Sequence, residues 1–499
     1  MGKGWRLAIS QWTGSAAFVL LLVIVALSPL PFGSNGPEST VILVGLSGLT
    51  LLSAALGAAL DSKVELPARV PLLTAAVACY LVFAAWALIQ TVPGLPFGLP
   101  HPLWDEAVRV LGVATPATIS LDPQATYAAL AKSAGYASIG TAALFLLHER
   151  DRRAIAASVF AISAGLYAVY GVVGLAAGDC CVVWQAKTAY RGVATGPFIN
   201  RNNFATFLGL AAVFLLGLLL RGWGDLRNVR QPSALATLLV RLQLLAAARP
   251  VEAVALPAVL AALLATQSRA GITASILGLS VLVFLCARAE VFGSSRKLLR
   301  QLLAFAAVVV VVLAFFGAAY RGRLANEGVE EIDRSQSWQI IVTGIEASPW
   351  LGHGFGTFPQ AFPLYRDDRL ASRRYWDKAQ DTYLELALDT GIPATLVLLC
   401  GFAALVAQCW RGLARRRRER RVFPAIGIAA TALVGAHAIY DFSMQIPAVA
   451  TVYAVLMGLA LTESGIWRGP LTPRRLEADI VHSRFSPGPS PVPRVAPDR

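Results

Sequence analysis

Long apolar runs separated by short polar stretches recur along almost the whole chain. Runs of about 17 to 25 apolar residues can cross the hydrocarbon core of a bilayer as helices. This criterion predicts about twelve spans. They centre on residues 14–31, 39–60, 70–91, 126–147, 154–177, 203–220, 251–266, 271–287, 302–320, 388–409, 423–440 and 449–464. The pattern therefore predicts an all-α, polytopic integral membrane protein.

The composition agrees with this pattern, because 56% of the 499 residues are hydrophobic and only 14% are charged. A soluble globular protein is about one quarter charged. The net charge of +14 could indicate nucleic-acid binding. In a membrane protein it indicates cytoplasmic loops rich in Lys and Arg instead. The six cysteines show neither a metal-binding spacing nor a disulfide framework, so no metal site is predicted.

The basic residues predict the orientation of the spans. The first apolar run has no cleavage site and is interpreted as a retained helix. With the N-terminus in the cytoplasm, roughly two thirds of all Lys and Arg lie on the inside, as the positive-inside rule expects. We predict N-terminal transmembrane helices over residues 1–190 and a disordered cytoplasmic tail over residues 465–499. Both termini would be cytoplasmic, and segment 234–250 would be a helix on the membrane surface.

The longest predicted outer loop, residues 321–380 between the ninth and tenth spans, is unusually basic. The positive-inside rule opposes such charge, although long translocated loops are tolerated whatever their charge. The functional alternative is an anion held at the outer face. The basic residues are Arg321, Arg323, Arg334, Arg366, Arg369, Arg373, Arg374 and Lys378.

The same loop contains recognisable local structure. Apolar residues recur at helical spacing from Trp338 to Ile345, and Pro349 would end that helix. The following stretch "GHGFGTF" is not preceded by a strand, so it predicts tight loop packing and not a dinucleotide site. Its only histidine, His353, is expected to be structural.

The stretch "GPFINRNNFATFLGL" places several hydrogen-bond donors at the start of the sixth span. Backbone N–H groups are free at a helix N-terminus, and an arginine fork beside them suits a phosphate. Arg191 and Arg201 would both face outward. The alternative is that Asn202 or Asn203 only caps the helix, while Arg201 reaches lipid headgroups.

A second arginine, Arg269, follows Ser268 between two apolar runs in "ATQSRAGITAS". A charge near the membrane centre is costly and usually functional, whereas one in an outer turn can be interfacial. Gly271 and the short flanking spans favour a break that faces a cavity. Arg269 is therefore a candidate ligand for an anion.

Five segments, in order, resemble the O-antigen ligase and polymerase (Wzy-type) superfamily of bacterial inner-membrane proteins. They are "RGVATGPFINRNNFATFLGL", "SRAG", "SWQIIVTGIEASPWLGHGFGTF", "DTYLELALDTGIPA" and "HAIYDFSMQIP". The resemblance predicts an O-antigen ligase-like region over residues 191–464. It implies a GT-C-like helical fold with the site at the outer surface.

The resemblance also implies a function. Family members transfer a glycan from an undecaprenyl-diphosphate carrier, at the periplasmic face, to lipid A-core or to a growing polysaccharide. No cofactor, metal or nucleic acid is implied. The leaving diphosphate gains negative charge, and fixed cations aimed at it lower the barrier. On this basis the predicted diphosphate ligands are Arg191, Arg201, Arg269 and Arg334.

One departure from the family concerns its His-Asn-x-Tyr-Leu motif, whose histidine is considered catalytic. The aligned position is Gln380, which cannot accept a proton. Asp381 and Glu385 lie one helical turn apart and are the candidate replacements, so these three residues form the predicted catalytic set. Asp381 is favoured, because Thr382 to Glu385 would form a capping box that occupies the glutamate.

Two other functions remain open at this stage. Twelve spans are common in secondary transporters, although the chain shows no repeat of two related halves. A non-catalytic relative that binds carrier lipid is also compatible with the missing histidine. Convergence of the arginines on one outward cavity beside a lipid-facing groove would favour glycan transfer, whereas scattered arginines would favour either alternative.

Overall fold

The computed structural model describes residues 2–60, 70–113, 115–291, 324–368, 370 and 375–467. The described chain is almost entirely helical, apart from a hairpin of β1 (Cys181–Val182) and β2 (Gln185–Ala186). The helices are α1 (Gly2–Leu27), α2 (Pro37–Leu60), α3 (Pro71–Ile89), α4 (Leu103–Leu111), α5 (Pro123–Leu146), α6 (Arg150–Ala176), α7 (Arg201–Asp225), α8 (Ala234–Ala248), α9 (Pro250–Ala265), α10 (Arg269–Arg288), α11 (Leu324–Ala347), α12 (Phe358–Tyr365), α13 (Thr382–Arg415), α14 (Val422–His437) and α15 (Pro447–Leu461).

Eleven of the predicted spans coincide with described helices, and the ninth, residues 302–320, lies outside the described residues. Eight described helices are long and apolar enough to cross a membrane, or nine if the bent pair of α8 and α9 counts as one span. The structure is thus that of an all-α polytopic membrane protein. The number of twelve crossings stays a prediction.

Two helices, α7 and α15, form the centre of the bundle. In each of them 89% of the apolar window is buried inside the protein. The other candidate spans bury only 17% to 39% of theirs, so most of their apolar surface is left for lipid. Phe204, Phe207 and Phe214 on α7 are buried in the main core. The central position of α7 explains why the polar residues at its start can reach several other segments.

The predicted surface helix is present as α8. None of its residues is buried, and it meets α9 at an angle of 100°. Ser233 caps its start by accepting a hydrogen bond from the Ala236 N–H. This geometry supports the predicted position of α8 along the membrane surface.

A second, smaller apolar cluster joins α11, α12 and the first turns of α13. Its buried residues include Ile341, Phe358, Phe362 and Leu388. The helix predicted around Trp338 is therefore part of an ordered unit. Its packing explains why helices form over residues 338–347 and 358–365 although they belong to a predicted loop.

The glycine-rich stretch packs tightly, as the sequence predicts. Gly352 and Gly354 have φ values of 69° and 112°, and a Cβ on either would collide with Asp389 or Ser120. His353 is fully buried; its Nδ1 lies 2.9 Å from the Leu388 carbonyl and its Nε2 lies 2.7 Å from the Tyr365 hydroxyl. Both contacts confirm that His353 is structural.

The end of the bundle that carries residues 416–421 holds a cluster of arginines around one carboxylate. Glu463 is only 2% exposed, and its Oε1 lies 2.6 Å from Arg153 Nη1. Its Oε2 lies 3.6 Å from Arg420 Nη1. The guanidinium groups of Arg153 and Arg221 also lie 5.7 and 5.5 Å from the Phe423 ring. We call Glu463 together with Arg153, Arg221, Arg420 and Phe423 the arginine cluster.

The arginine cluster predicts a large effect of Glu463→Gln on stability. Removal of one partner from a buried ion pair leaves charge uncompensated and costs about 3 to 5 kcal/mol. We expect a clear fall in the melting temperature of the detergent-purified protein, measured by intrinsic fluorescence. The matched control is Glu346→Gln, which changes an exposed glutamate. Equal melting temperatures for the two variants would contradict this role of Glu463.

Candidate functional site

The start of α7 is capped by Asn200, whose side-chain oxygen accepts a hydrogen bond of 2.8 Å from the Asn202 N–H. The alternative drawn from the sequence was a cap by Asn202 or Asn203, and the structure shows Asn200 in that role instead. Asn200 has the extended backbone that a cap needs, with φ −93° and ψ 128°. The side chains of Asn202 and Asn203 are therefore available for contacts with other segments.

Asn202 joins three segments at this end of the bundle. Its Oδ1 accepts a hydrogen bond of 2.8 Å from Ser268 Oγ, directly before α10. Its Nδ2 donates to Asp441 Oδ1 at 3.1 Å, in the connection between α14 and α15. Arg201 and Arg269 are the first residues of α7 and α10. The Asn202–Ser268 bond therefore holds two arginine-bearing helix N-termini side by side.

Asp441 is fully buried and lies at the centre of these contacts. Its Oδ2 accepts a hydrogen bond from Ser443 Oγ, which also lies 3.0 Å from Asn203 Oδ1. A buried carboxylate is costly unless donors satisfy it. Asn202 and Ser443 provide those donors from two different segments.

His437, the last residue of α14, extends this set into the bundle. It is 1% exposed, and its Nδ1 lies 2.8 Å from Thr206 Oγ1 on α7. Thr206 Oγ1 in turn lies 3.0 Å from Ser443 Oγ. The His437 Nδ1 to Asp441 Oδ2 distance is 3.9 Å, too long for a direct hydrogen bond. The His437 Nε2 atom is buried and has no hydrogen-bond partner among the described residues.

The start of α13 is anchored to the same place. The Thr382 N–H donates to the Ala438 carbonyl at 2.8 Å, and Thr382 Oγ1 donates to the Asp441 carbonyl at 2.9 Å. The Tyr383 hydroxyl donates to the Gly435 carbonyl at 2.8 Å. We call the whole set the polar junction. Its members are Asn202, Asn203, Thr206, Ser268, Thr382, His437, Asp441 and Ser443.

The two candidate carboxylates both have structural contacts. Asp381 Oδ1 accepts from the N–H groups of Tyr383 and Leu384 at 2.9 and 3.0 Å, so Asp381 is the N-cap of α13. Burial raises the pKa of Asp381, and these two backbone hydrogen bonds oppose that rise. The predicted capping box that begins at Thr382 is therefore wrong by one residue, because the extended backbone falls at Asp381.

Glu385 is occupied, as the sequence predicts, but by a different N–H group. Its Oε2 accepts from the Ala379 N–H at 2.9 Å, and its Oε1 lies 3.6 Å from Lys378 Nζ. Gln380 has a φ of 56°, in the left-handed region. Histidine is among the residues enriched there, so the conformation could also hold the family's histidine. A catalytic role for Asp381, Glu385 or Gln380 stays a prediction.

Three of the four predicted arginines lie on helices at the same end of the bundle, and the fourth lies in the loop that leads into α7. Arg201 and Arg269 open neighbouring helices, and the guanidinium of Arg201 lies 5.8 Å from the Tyr190 ring. Arg334 lies on α11 one helical turn before Trp338, whose ring lies 6.0 Å from the Tyr440 ring. Arg191 lies in the exposed loop before α7, where its Nε donates to the Lys187 carbonyl at 3.0 Å. Other predicted loop arginines lie outside the described residues, namely Arg321, Arg323, Arg369, Arg373 and Arg374.

Sequence reasoning did not identify His437, Asp441, Thr206 or Ser443 as site residues. A signal was present, since an ionisable residue inside or beside an apolar span is a functional candidate by default. His437 and Asp441 are both in "HAIYDFSMQIP", between the last two predicted spans. Their pairing with α7 could not be read from the sequence, because it depends on contacts between distant segments.

The fold and the polar junction define a helical membrane protein with arginine-bearing helix N-termini gathered at one end. Residues 253–399 match the family model described as O-antigen ligase. This match confirms the predicted resemblance to the O-antigen ligase and polymerase superfamily over this part of the chain. A comparison with curated proteins gives no match. Arg269, Arg334 and Asp381 lie in the matched region, whereas Arg201 and His437 lie outside it.

Proposed function

We propose that this protein transfers or polymerises a glycan carried on a polyprenyl diphosphate, for polysaccharide assembly. The O-antigen ligase domain supports a role in this process. The observation that carries the proposal is the bond between Asn202 and Ser268, which sets the starts of α7 and α10 side by side. Each of these helices begins with an arginine at its positive end.

This arrangement suits a diphosphate leaving group. Two guanidinium groups can each bind phosphate oxygens through paired N–H donors. As the glycosidic bond breaks, negative charge grows on the diphosphate, and cations already in place stabilise it without rearrangement. Arg201 and Arg269 are the proposed principal ligands. Arg334, on α11, and Arg191, in the loop before α7, are the proposed supporting ligands.

The acceptor is proposed to be lipid A-core or a growing polysaccharide, and the reaction is proposed to occur at the periplasmic face of the inner membrane. Gene deletion followed by gel analysis of surface polysaccharide tests the function. Single repeat units without polymer would indicate a polymerase, and carrier-linked polymer without transfer would indicate a ligase. Unchanged polysaccharide would overturn the proposal.

Conservative arginine variants test the diphosphate assignment in the complemented deletion strain. Lysine keeps the charge but cannot reproduce the planar fork of donors. We expect Arg201→Lys and Arg269→Lys each to reduce polymer by about 10-fold or more, in line with a loss of 1.4 kcal/mol or more of transition-state stabilisation. The control is Arg415→Lys, which changes an arginine at the opposite end of α13 and should leave the amount of polymer unchanged. Normal polymer in all three strains would remove the assignment.

Accessibility to a membrane-impermeant reagent tests the proposed orientation. A cysteine introduced at Asp368, near the polar junction end, should be labelled from outside intact spheroplasts. A cysteine at Arg418, beside the arginine cluster, should be labelled only after the membrane is opened. The positive-inside rule is the physical reason, because the arginine cluster would lie in the cytoplasm. The reverse labelling pattern would overturn the orientation.

A further inference from the structure

The polar junction contains a chain of hydrogen-bonding groups that the diphosphate assignment does not use. It runs from His437 through Thr206 and Ser443 to Asp441. We propose that His437 is the general base of the transfer reaction and that this chain holds its imidazole in the reactive tautomer. The inference rests on the proposed function and names the residue that replaces the family's missing histidine.

The tautomer of His437 follows from counting protons along the chain. Asp441 can only accept, so the single proton of Ser443 is best used toward its carboxylate. Ser443 Oγ then accepts the proton of Thr206, 3.0 Å away. The Asn202 carbonyl, 3.0 Å from Thr206 Oγ1, is a second acceptor for the same proton. Because Thr206 has these two other acceptors and only one proton, we assign the 2.8 Å contact to a proton on His437 Nδ1. His437 Nε2 is thereby left with a lone pair, which is the state a general base needs.

Buried polar atoms without partners also occur on α11, which packs near the α14–α15 connection. Arg334 Nε and Trp338 Nε1 are both buried without a hydrogen-bond partner among the described residues. They are one helical turn apart and share one face of α11. That face meets the α14–α15 connection, because the Trp338 and Tyr440 rings lie 6.0 Å apart.

These atoms suit a sugar hydroxyl, which both donates and accepts a hydrogen bond. A hydroxyl can donate its proton to an imidazole lone pair while its oxygen accepts from an N–H of Arg334 or Trp338. Leaving these three atoms buried and unmatched is energetically unfavourable. An acceptor sugar bound between α11 and the polar junction would satisfy them. His437 is 1% exposed, so this binding requires α11 to move outward.

The proposed step balances in atoms and charge. The acceptor O–H bond breaks and its proton passes to His437 Nε2. The oxygen lone pair forms the new bond to the anomeric carbon, and the bond from that carbon to the diphosphate oxygen breaks with both electrons on the diphosphate. The Nδ1–H of the resulting imidazolium still donates a hydrogen bond to Thr206 Oγ1. The Asp441 carboxylate stabilises the imidazolium through Ser443 and Thr206.

The first test compares His437→Gln with His148→Gln in the complemented deletion strain. His148 is an exposed histidine stacked on Trp467 at the opposite end of the bundle, so its variant controls for the chemical change. A base contributes about 100-fold or more to a rate. We therefore expect His437→Gln to reduce the amount of polymer by about 100-fold or more, although the purified variant remains monodisperse in detergent. His148→Gln should give the same amount of polymer as the unaltered protein. Trp338→Phe, which removes one N–H and keeps the ring, should give a smaller loss.

A second test separates a base from a packing residue and covers poor folding of the glutamine variant. In membranes that contain His437→Ala and their own carrier-linked donor, added imidazole should restore transfer. Pyrazole fills the same space but is a far weaker base, so it should not. Equal rescue by the two rings would show a packing role and overturn the inference.

The outcomes also separate this inference from the proposed function. Unchanged polysaccharide after gene deletion would overturn both the proposed function and the role of His437. Loss of polymer on deletion, with normal polymer from His437→Gln, would remove the inference and leave the function. Activity of His437→Gln together with loss of transfer in a well-folded Asp381→Asn variant would assign the base to Asp381 instead.

Discussion

The buried carboxylate of Asp441 is the constraint on which this end of the bundle depends. A charge in an apolar interior must be matched by donors, and those donors must come from the segments around it. Asn202 of α7 and Ser443 provide them, and Asn202 is itself held by Ser268 at the start of α10. The Asp441 carbonyl also accepts a hydrogen bond from Thr382 Oγ1 at the start of α13. The polar requirements of this residue therefore fix the mutual positions of three helix N-termini.

The two ends of the bundle meet the same requirement in different ways. Glu463 is matched directly by Arg153 and Arg420, so cationic groups surround an anion that belongs to the protein. Asp441 takes its hydrogen bonds from an amide and a hydroxyl. At that end Arg201 and Arg269 open two adjacent helices. The first arrangement is a structural ion cluster, whereas the second suits a leaving group that gains negative charge during the reaction.

Much of the architecture could be predicted from the sequence because apolar runs of sufficient length dictate membrane helices. The positions of Arg201 and Arg269 at helix starts were also predictable, since each directly follows a polar turn. The caps were less certain. Asn200, Asn202 and Asn203 have equal capping chemistry, and the choice among them depends on which backbone is extended.

The polar junction could not be predicted for a different reason. Asn202 and Asp441 are 239 residues apart, and Thr206 and His437 are 231 residues apart. No local pattern specifies which distant polar residue will satisfy a given donor. The sequence therefore suggested Asp381, which stands beside the missing family histidine, whereas the structure shows Asp381 as the N-cap of α13 and His437 at the end of a hydrogen-bonded chain.

The most direct measurement of the central claim is an experimental structure, by electron cryomicroscopy, of the protein in lipid nanodiscs with undecaprenyl diphosphate. The account predicts density for the two phosphates at the polar junction, with phosphate oxygens about 3 Å from the guanidinium groups of Arg201 and Arg269. Density for the diphosphate at the arginine cluster around Glu463, with none at the polar junction, would contradict it.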